Sequence, residues 1–440
     1  MSDLFNKCLK FTTAREVMAA GYYPYFHEIE TAQGPEVLIS GEKKIVCCSN
    51  NYLGLTQHPK VLEASINAVK KYGTSCTGSR FLSGTIDLHV KVEKKFAKFI
   101  GKEAALLFTT GHHSNLGAIS TLVAKGEYVI TDKLDHASIV DGCRLSFGQL
   151  LRYRHNNMDD LERLLAKFRD TPKLIVVDGV FSMEGDICNL PEIVKLGKIY
   201  NARVMVDDAH SLGVLGKNGR GTAEHFNLDS SEPDVVMVTA SKSLASIGGF
   251  IAAREEVIHY IKHSARSLIF TASLPAAQVA AIDVSLDIIQ QEPERRKKLW
   301  ENTQKMLDGF KALGFNTKDS TTPIIPIHVG DNMKAFQMWR LLYDEGIFCS
   351  PVISPAVPEG EALIRTSYMA IHTDEHLDRV LNAFEKIGKE LGIISGTYKP
   401  RKSTEKMKKG IIFRGLKIGP KEISAGSKKW MKNLFWRFGK

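Results

Sequence analysis

Side chains that could do chemistry follow short apolar runs in the middle of the chain. Lys242 comes after Val235–Val238 in the segment VTASKSLASIGG, and Asp207 and His210 close another run in VMVDDAHSLG. Taken alone, Lys242 is typical of a solvated charge and Asp207 of a helix cap. Taken together, they suit a cofactor that forms an imine with a lysine and needs an anion beside its protonated ring nitrogen.

Groups that could hold a phosphate accompany this lysine. Hydroxyls at Thr239 and Ser241 flank Lys242, and Gly111 and His112 begin a helix-like segment, GHHSNLGAIS. The first N–H groups of a helix have no partner within it and suit an anion. The sequence therefore predicts a phosphate-binding corner next to the lysine.

Three histidines could each have either a functional or a structural role. The adjacent pair His112 and His113 could indicate a metal, but neighbouring residues on a helix point apart and no ligand cluster accompanies them, so no metal site is expected. His136, in LDHASIVDG, is a candidate to stack on the cofactor. A lone histidine is ordinarily a structural residue, so His136 depends on its neighbours for a role.

The elements that must position these residues form an alternating pattern. Short apolar runs separated by helical patterns predict a mainly parallel sheet covered by helices on both faces. The runs are Ala104–Phe108, Tyr128–Thr131, Leu174–Val177, Arg203–Val206 and Val235–Val238. Ligands collect at the carboxyl ends of such strands, where the polar clusters stand. We therefore expect one α/β site.

Four regions are expected along the 440 residues. Residues 1–46 form an N-terminal arm, and residues 47–280 form the large cofactor-binding domain. Residues 281–395 begin with a long charged helix, Glu292–Leu313, followed by strands and helices, and predict a smaller α+β domain. Residues 396–440 form a basic tail rich in Gly, Lys and Ser.

Composition narrows the class of protein. An apolar content of 43% and a charged content of 25% are those of an ordinary globular protein. The sequence has no run near the roughly 20 apolar residues that span a bilayer, and its first residues lack a signal core. Seven scattered cysteines without a Cys-x-x-Cys pair predict neither disulfides nor zinc. A cytoplasmic location is expected.

The positive charge belongs to the tail. From Lys399 to Lys440 there are fourteen lysines and arginines against two glutamates, so this segment carries +12 and the rest of the chain −2. Ser427–Phe438 places its apolar and aromatic side chains on one helical face, apart from Trp436, and its lysines opposite. This pattern suits peripheral contact with an anionic membrane, packing on the enzyme body, or a disordered solubilising arm. No nucleic-acid-binding motif accompanies the charge.

Six segments together resemble the α-oxoamine synthases, which are pyridoxal 5′-phosphate (PLP) enzymes of fold type I. They are NNYLGL (Asn50–Leu55), GTSCTGSRFLSGT (Gly73–Thr85), DHASIVDG, DGVFSMEGD (Asp178–Asp186), VDDAHSLG and T-x-SK-S. They occur in the family's order, and the resemblance covers roughly residues 20 to 392. It implies a large domain with a mainly parallel seven-stranded sheet, a smaller α+β C-terminal domain, and a decarboxylating condensation of an amino acid with an acyl thioester.

The resemblance also implies roles for individual residues around the cofactor. Lys242 would bind PLP as a Schiff base and later move the Cα proton. Asp207 would bind the ring nitrogen, His210 the phenolic oxygen, and His136 would stack on the ring, with Ser182 near the same oxygen. The phosphate would be held by Gly111, His112, Thr239 and Ser241.

Substrate and partner residues follow in the same way. Arg365, in ALIRTS, would grip the amino-acid carboxylate, for which a guanidinium fork is suited. Asn51 would lie beside the amino acid. Fold-type-I sites are built at the interface of a homodimer, so Thr271 and Ser273 would reach the partner subunit's phosphate.

The choice of substrates stays open. The likeness is greatest to bacterial members that use serine and a palmitoyl thioester, with coenzyme A or an acyl carrier protein as the thiol. His112 stands where an aromatic residue is usual and Ala240 where a bulky one is common, which keeps cysteate, a sulfonolipid precursor, as an alternative. Glycine and alanine serve other branches. A non-catalytic partner subunit would lack Lys242, and an aminotransferase would lack the HAS, FSMEG and GSR motifs.

Overall fold

The computed structural model describes residues 3–354 and 356–395. Its first elements are two short helices, a hairpin, a 3₁₀ turn (Leu55–Gln57) and two longer helices. They are α1 (Asn6–Leu9), α2 (Thr13–Ala19), β1 (Glu36–Ile39), β2 (Glu42–Val46), α3 (Pro59–Tyr72) and α4 (Asp87–Ile100). Pro59 at the start of α3 and Gly73 after its end agree with the usual preference for proline at the first turn and glycine at the C-terminus.

Seven strands form the central sheet. They are β3 (Ala104–Phe108), β4 (Tyr128–Asp132), β5 (Gln149–Tyr153), β6 (Lys173–Asp178), β7 (Arg203–Asp207), β8 (Val235–Thr239) and β9 (Gly249–Ala253). Their order is β3-β9-β8-β7-β6-β4-β5, and β9 runs antiparallel to both of its neighbours. The mainly parallel seven-stranded sheet is confirmed. The five predicted runs form strands, and β5 and β9 were not among them.

Helices cover both faces of this sheet. They are α5 (Gly111–Leu122), α6 (Ala137–Leu145), α7 (Met158–Lys167), α8 (Leu190–Ile199), α9 (Thr222–His225), α10 (Glu255–Ser264), α11 (Arg266–Ile269) and α12 (Ala276–Gln291). Successive residues of a strand point to opposite faces. Along β7, Val204 and Val206 pack into one apolar core and Met205 into the other. Burial on both faces explains why these strands read as continuous apolar runs.

The C-terminal part has its own core and sheet. Its elements are α13 (Pro293–Leu313), β10 (Ile324–Gly330), α14 (Asn332–Asp344), β11 (Ile347–Phe348), β12 (Ser350–Val352), β13 (Ala362–Ser367) and α15 (Asp374–Glu390). Strands β10, β13 and β12 pair antiparallel, and Phe310, Trp339 and Phe384 are buried in the core that they share.

One expected boundary lies at the end of a strand that pairs with the C-terminal part, and the other falls inside a helix. Strand β11 pairs with β2, and Ile45 packs in the C-terminal core, so the hairpin before residue 46 is not a separate arm. Residue 280 lies within α12, whose Ile282 and Leu286 belong to the core of the large domain. The two cores meet along α13 instead, whose Leu299 packs in the core of the large domain and whose Met306 and Phe310 pack in the C-terminal core.

Within the described ranges, no helix combines the length and apolar content needed to cross a bilayer. The expectations for the basic tail concern residues 396–440, which lie outside those ranges.

Candidate active site

One cavity of about 300 Å³ opens at the carboxyl ends of β6, β7 and β8. Nine of the residues expected at a cofactor site line it: Gly111, His112, His136, Ser182, Asp207, His210, Thr239, Ser241 and Lys242. A larger cavity of about 730 Å³ lies at the opposite, amino ends of the strands and contains none of these residues. Ligands of such sheets bind at the carboxyl ends, so the smaller cavity is the candidate site.

Lys242 lies in the connection between β8 and β9, partly buried in the cavity wall. Burial lowers the pKa of its amine to about 8, and the positive charge of Arg365 acts in the same direction. The carboxylates of Asp207 and Asp178 oppose this effect. A substantial fraction of the amine is therefore neutral near physiological pH, as a nucleophile or a base requires.

Asp207 ends β7 and is held from two sides. Its Oδ2 accepts a hydrogen bond from Asn115 Nδ2 at 2.7 Å, and its Oδ1 accepts one from the Ala209 N–H at 2.9 Å. The side chain is 3% exposed. A carboxylate oxygen can accept more than one hydrogen bond, so both oxygens can still receive a donor from the cavity.

Asn115 was not among the predicted residues, yet it connects two of them. This wholly buried amide donates through Nδ2 to Asp207 and also to Ser138 Oγ at 2.8 Å. Ser138 Oγ in turn lies 2.7 Å from His136 Nδ1. Asn115 follows Gly111 by one turn on the same face of α5, and this spacing was the signal that could have identified it.

His136 is the N-cap of α6, and its backbone N–H donates to Asp178 Oδ2 at 2.8 Å. Its Nδ1 accepts from the Ser138 N–H at 3.2 Å, so the neutral ring carries its proton on Nε2. Burial is the main cause that lowers the pKa of His136, which favours this neutral form. Burial, together with the Asp207 charge, raises the pKa of Asp178 well above its usual range.

The first turn of α5 faces the cavity with its backbone. Thr110 caps the helix by accepting from the His113 N–H at 3.1 Å, and Gly111 is buried at the helix start. A Cβ at position 111 would lie 2.8 Å from Thr239 Cβ, so only glycine fits there. Thr239 Oγ1 lies 2.9 Å from Ser241 Oγ. Two hydroxyls and a helix N-terminus therefore converge, as phosphate binding requires.

The His112 imidazole lies beside Asp141 of α6. It is exposed, with Nε2 at 3.8 Å from Asp141 Oδ2. In the described part of the chain, no group of three or more His, Cys, Asp or Glu side chains is arranged to hold a metal ion. The arrangement at His112 is compatible with a backbone contact to an anion.

His210 is buried beside Tyr52. The Tyr52 Oη lies 2.7 Å from His210 Nδ1, and the two rings meet edge to face. Burial lowers the pKa of His210 well below its usual value, and the charges of Lys242 and Arg365 add to the effect. The imidazole is therefore neutral in this site.

Arg365 comes from β13 of the C-terminal sheet and is 6% exposed. Its Nε donates to the Ser182 carbonyl at 2.7 Å, and its Nη2 donates to Asn50 Oδ1 at 3.0 Å. These bonds fix the guanidinium and leave further N–H donors for a carboxylate. Arg365 does not line the cavity directly, but it contacts Ser182, which does.

Asn51 is not brought to the site as expected. Its Nδ2 donates to Thr56 Oγ1 at 2.8 Å, and its Oδ1 accepts from the Leu55 N–H at 3.1 Å. Both polar atoms therefore hold the loop. Asn50, the preceding residue, is the one that contacts Arg365.

Thr271 and Ser273 follow α11 and do not line the cavity of their own chain. Thr271 is partly exposed. The Ser273 Oγ is buried with no hydrogen-bond partner in residues 3–354 and 356–395, and a Cβ at Gly84 would lie only 2.3 Å from it. The expectation for Ser273 conflicts with this burial, because its own chain covers the hydroxyl.

Known proteins are similar to this chain over most of its length. The profile of the family described as "Aminotransferase class I and II" matches residues 42–384. A serine palmitoyltransferase of Bacteroides thetaiotaomicron is 51% identical over 396 residues, covering 90% of this chain and 100% of that protein. An 8-amino-7-oxononanoate synthase of Thermoanaerobacter pseudethanolicus is 43% identical over 381 residues, covering 86% and 96%.

A solved structure has the same fold. It is a lysine variant of the serine palmitoyltransferase from S. paucimobilis with a bound PLP–myriocin aldimine, 37% identical, with a TM-score of 0.86 over 89% of this chain and 100% of that one. The expected fold type is thereby confirmed. The chain belongs to the class I and II aminotransferase family and, within it, to the α-oxoamine synthases.

Proposed function

We propose that this chain binds PLP and condenses L-serine with a long-chain acyl thioester, releasing carbon dioxide and giving a 3-keto long-chain base, the first step of sphingolipid synthesis. One observation carries the proposal. A lysine amine with a pKa lowered to about 8, a buried carboxylate and a helix N-terminus converge on a single cavity. Relatives named serine palmitoyltransferase, about half identical over nine-tenths of the chain, support serine as the amino acid.

The residues of the site provide each of the groups that PLP requires. Asp207 offers an anion to the ring nitrogen, His210 a neutral imidazole to the phenolic oxygen, and His136 a flat ring to stack. Gly111 lies close to Thr239 and has no side chain, so the backbone at the start of α5 is open to a ligand. This open backbone, called the cradle below, suits a phosphate. Lys242 is the lysine that would hold the cofactor.

Bound PLP supplies an electron-withdrawing ring that stabilises negative charge on the α-carbon of an amino acid. Lys242 then acts as the base, because its neutral Nζ can take the Cα proton and later return one. The Arg365 guanidinium binds the carboxylate and orients the substrate until carbon dioxide leaves. His136 Nε2–H, on a ring that Ser138 fixes, is a further donor at the cavity wall.

Release of carbon dioxide tests this function. Purified protein is supplied with palmitoyl-CoA or with palmitoyl-acyl carrier protein, and with serine, cysteate, glycine or alanine in turn. We expect serine to give the highest kcat/KM. A higher value with cysteate would instead favour a sulfonolipid enzyme, and keto-acid formation without carbon dioxide would favour an aminotransferase.

The second proposal is a homodimer with shared sites, in which Thr271 reaches the partner's phosphate. Its support is an apolar surface next to Thr271: Phe270 is 73% exposed, Phe81 53% and Leu82 80%. The bridge between Ser79 and Ala272 joins the two segments that carry them. Exposed apolar side chains in a group mark an interaction surface.

Mixing two variants whose own dimers contain no intact site tests the shared arrangement. Subunits with Lys242→Ala and subunits with Thr271→Ala are unfolded together and refolded. A mixed dimer then contains one site with both residues intact, so activity should reappear. Absence of any recovery, with dimers present by light scattering, would contradict the shared arrangement.

The third proposal is that the enzyme is cytoplasmic and that its basic tail binds peripherally to the inner face of the membrane. The support is the pattern of lysines opposite aromatic and aliphatic side chains in residues 427–438, together with the apolar character of a long-chain product. Flotation with anionic vesicles is compared for the full chain and a truncation after residue 398. Equal flotation of both proteins would reject the proposal.

A further inference from the structure

The Tyr52 hydroxyl lies where two parts of the site meet. Tyr52 sits in the loop after β2, is 1% exposed and packs in the core of the large domain. Its Oη is 2.7 Å from His210 Nδ1, and the Arg365 cation lies beside it. The third neighbour is Asn50 Oδ1, at 3.4 Å. One phenol therefore lies between the histidine and the arginine.

The distances decide where the single phenolic proton points. Hydrogen bonds between oxygens usually measure about 2.5–3.0 Å, so the 3.4 Å to Asn50 is long. Asn50 Oδ1 also accepts from Arg365 Nη2 already. A guanidinium can only donate, so the cation favours the lone pairs of the Tyr52 oxygen on its own side. The proton then lies on the other side, toward His210.

The ionisation states agree with this direction. Burial raises the pKa of Tyr52 to about 12, so the phenol keeps its proton. Burial lowers the pKa of His210 well below its usual value, so the imidazole is neutral. A neutral imidazole whose Nδ1 accepts a hydrogen bond must carry its own proton on Nε2.

We propose that Tyr52 is a positioning residue that fixes His210 as the Nε2–H tautomer and joins it to Arg365. The inference rests on the proposed function in one respect: the Nε2–H serves as the donor to the phenolic oxygen of PLP. A lone pair at Nε2 would repel that oxygen, so one tautomer must be selected. The same hydroxyl links the cofactor side of the site to β13, which carries the carboxylate-binding arginine.

Nitrogen NMR of the full chain, labelled with ¹⁵N-histidine, reports the tautomer directly. Spectra are taken without cofactor and with PLP bound, and His210→Asn assigns the signals. We expect a protonated Nε2 and an unprotonated Nδ1 in the wild type. In Tyr52→Phe the loss of one hydrogen bond should change the ratio of the two tautomers by roughly tenfold.

Tyr153→Phe is the matched control. Tyr153 is a fully buried phenol in the same core, and its Oη has no hydrogen-bond partner in the described chain. This variant should leave the His210 signals unchanged and alter kcat with serine less than twofold. Tyr52→Phe should lower that kcat by roughly tenfold, corresponding to one hydrogen bond.

Two results would overturn the inference. A protonated Nδ1 in the wild type does so even if Tyr52→Phe fails to fold. An unchanged tautomer ratio in a folded Tyr52→Phe does so as well, whatever happens to kcat. If serine releases no carbon dioxide while His210 still depends on Tyr52 for its tautomer, the proposed substrates fail and the positioning role stands.

Discussion

Lys242 is expected to react with PLP at a rate that follows the deprotonation of its amine. Burial places the pKa of the amine at about 8. Below that pH the amine is protonated and cannot attack a carbonyl, so the rate should rise with pH and level off above about 8. At pH 7 roughly one tenth of the amine is neutral, so the rate should be roughly tenfold below its plateau.

Two variants should move this midpoint in opposite directions. The Asp207 carboxylate raises the pKa of Lys242, so Asp207→Asn should lower the midpoint. The Arg365 cation lowers the pKa of Lys242, so Arg365→Gln should raise the midpoint. Asp208→Asn is the matched control, since Asp208 is equally buried but bonds to Thr222 on the far side. It should leave the midpoint where it is.

The assay is stopped-flow absorbance after mixing PLP with cofactor-free protein at a series of pH values. The same series with Nα-acetyl-lysine amide, divided by the neutral fraction of that amine at each pH, gives the pH dependence of PLP itself. A rate that still rises tenfold per unit at pH values well above 8, as for an ordinary lysine, would refute the reasoning. Identical midpoints for Asp207→Asn and Arg365→Gln would refute the assigned charge effects.

Three further predictions concern single residues. Lys242→Ala should abolish turnover and the absorbance of the imine between PLP and the lysine, and persistence of both would exclude the assigned role. Gly111→Ala should weaken PLP binding at least tenfold in an absorbance titration, because the new Cβ would lie 2.8 Å from Thr239; unchanged affinity would contradict the cradle. Asn50→Ala should raise the KM for serine. Asn51→Ala should leave this KM unchanged and lower the free energy of unfolding by about 1–3 kcal/mol. If Asn51→Ala raises the KM and Asn50→Ala does not, Asn51 is the residue that contacts the substrate.

The sequence predicted the sheet and the residues at its strand ends because both follow from local patterns. Buried parallel strands are continuous apolar runs, and their carboxyl ends must meet at one edge. Asp207 and Thr239 were therefore expected to lie together, as they do. Strand β9 was not predicted, because its place in the sheet depends on antiparallel pairing with β3 and β8 rather than on its own residues.

Other parts of the site depend on contacts between distant segments. Asn50 and Asn51 are adjacent and chemically identical, and only the fold of the loop decides which one meets Arg365 from β13. The burial of Ser273 likewise depends on Gly84, far away in sequence. Position within a motif could not resolve either case, because the motif gives no side-chain direction.

Two series of neighbouring polar side chains line the cavity, and different structural elements hold them in place. Asp207, Asn115, Ser138 and His136 all belong to the large domain, so this series depends only on β7, α5 and α6 of that domain. The other series runs from His210 to Tyr52, beside which lies Arg365 of the C-terminal sheet, held in place by the Ser182 carbonyl. A displacement of β13 would therefore disturb carboxylate binding and the His210 tautomer together, while leaving Asp207 in place. Under the proposed roles of Arg365 and His210, substrate recognition and cofactor polarisation would be coupled through the side of the site that contains Tyr52.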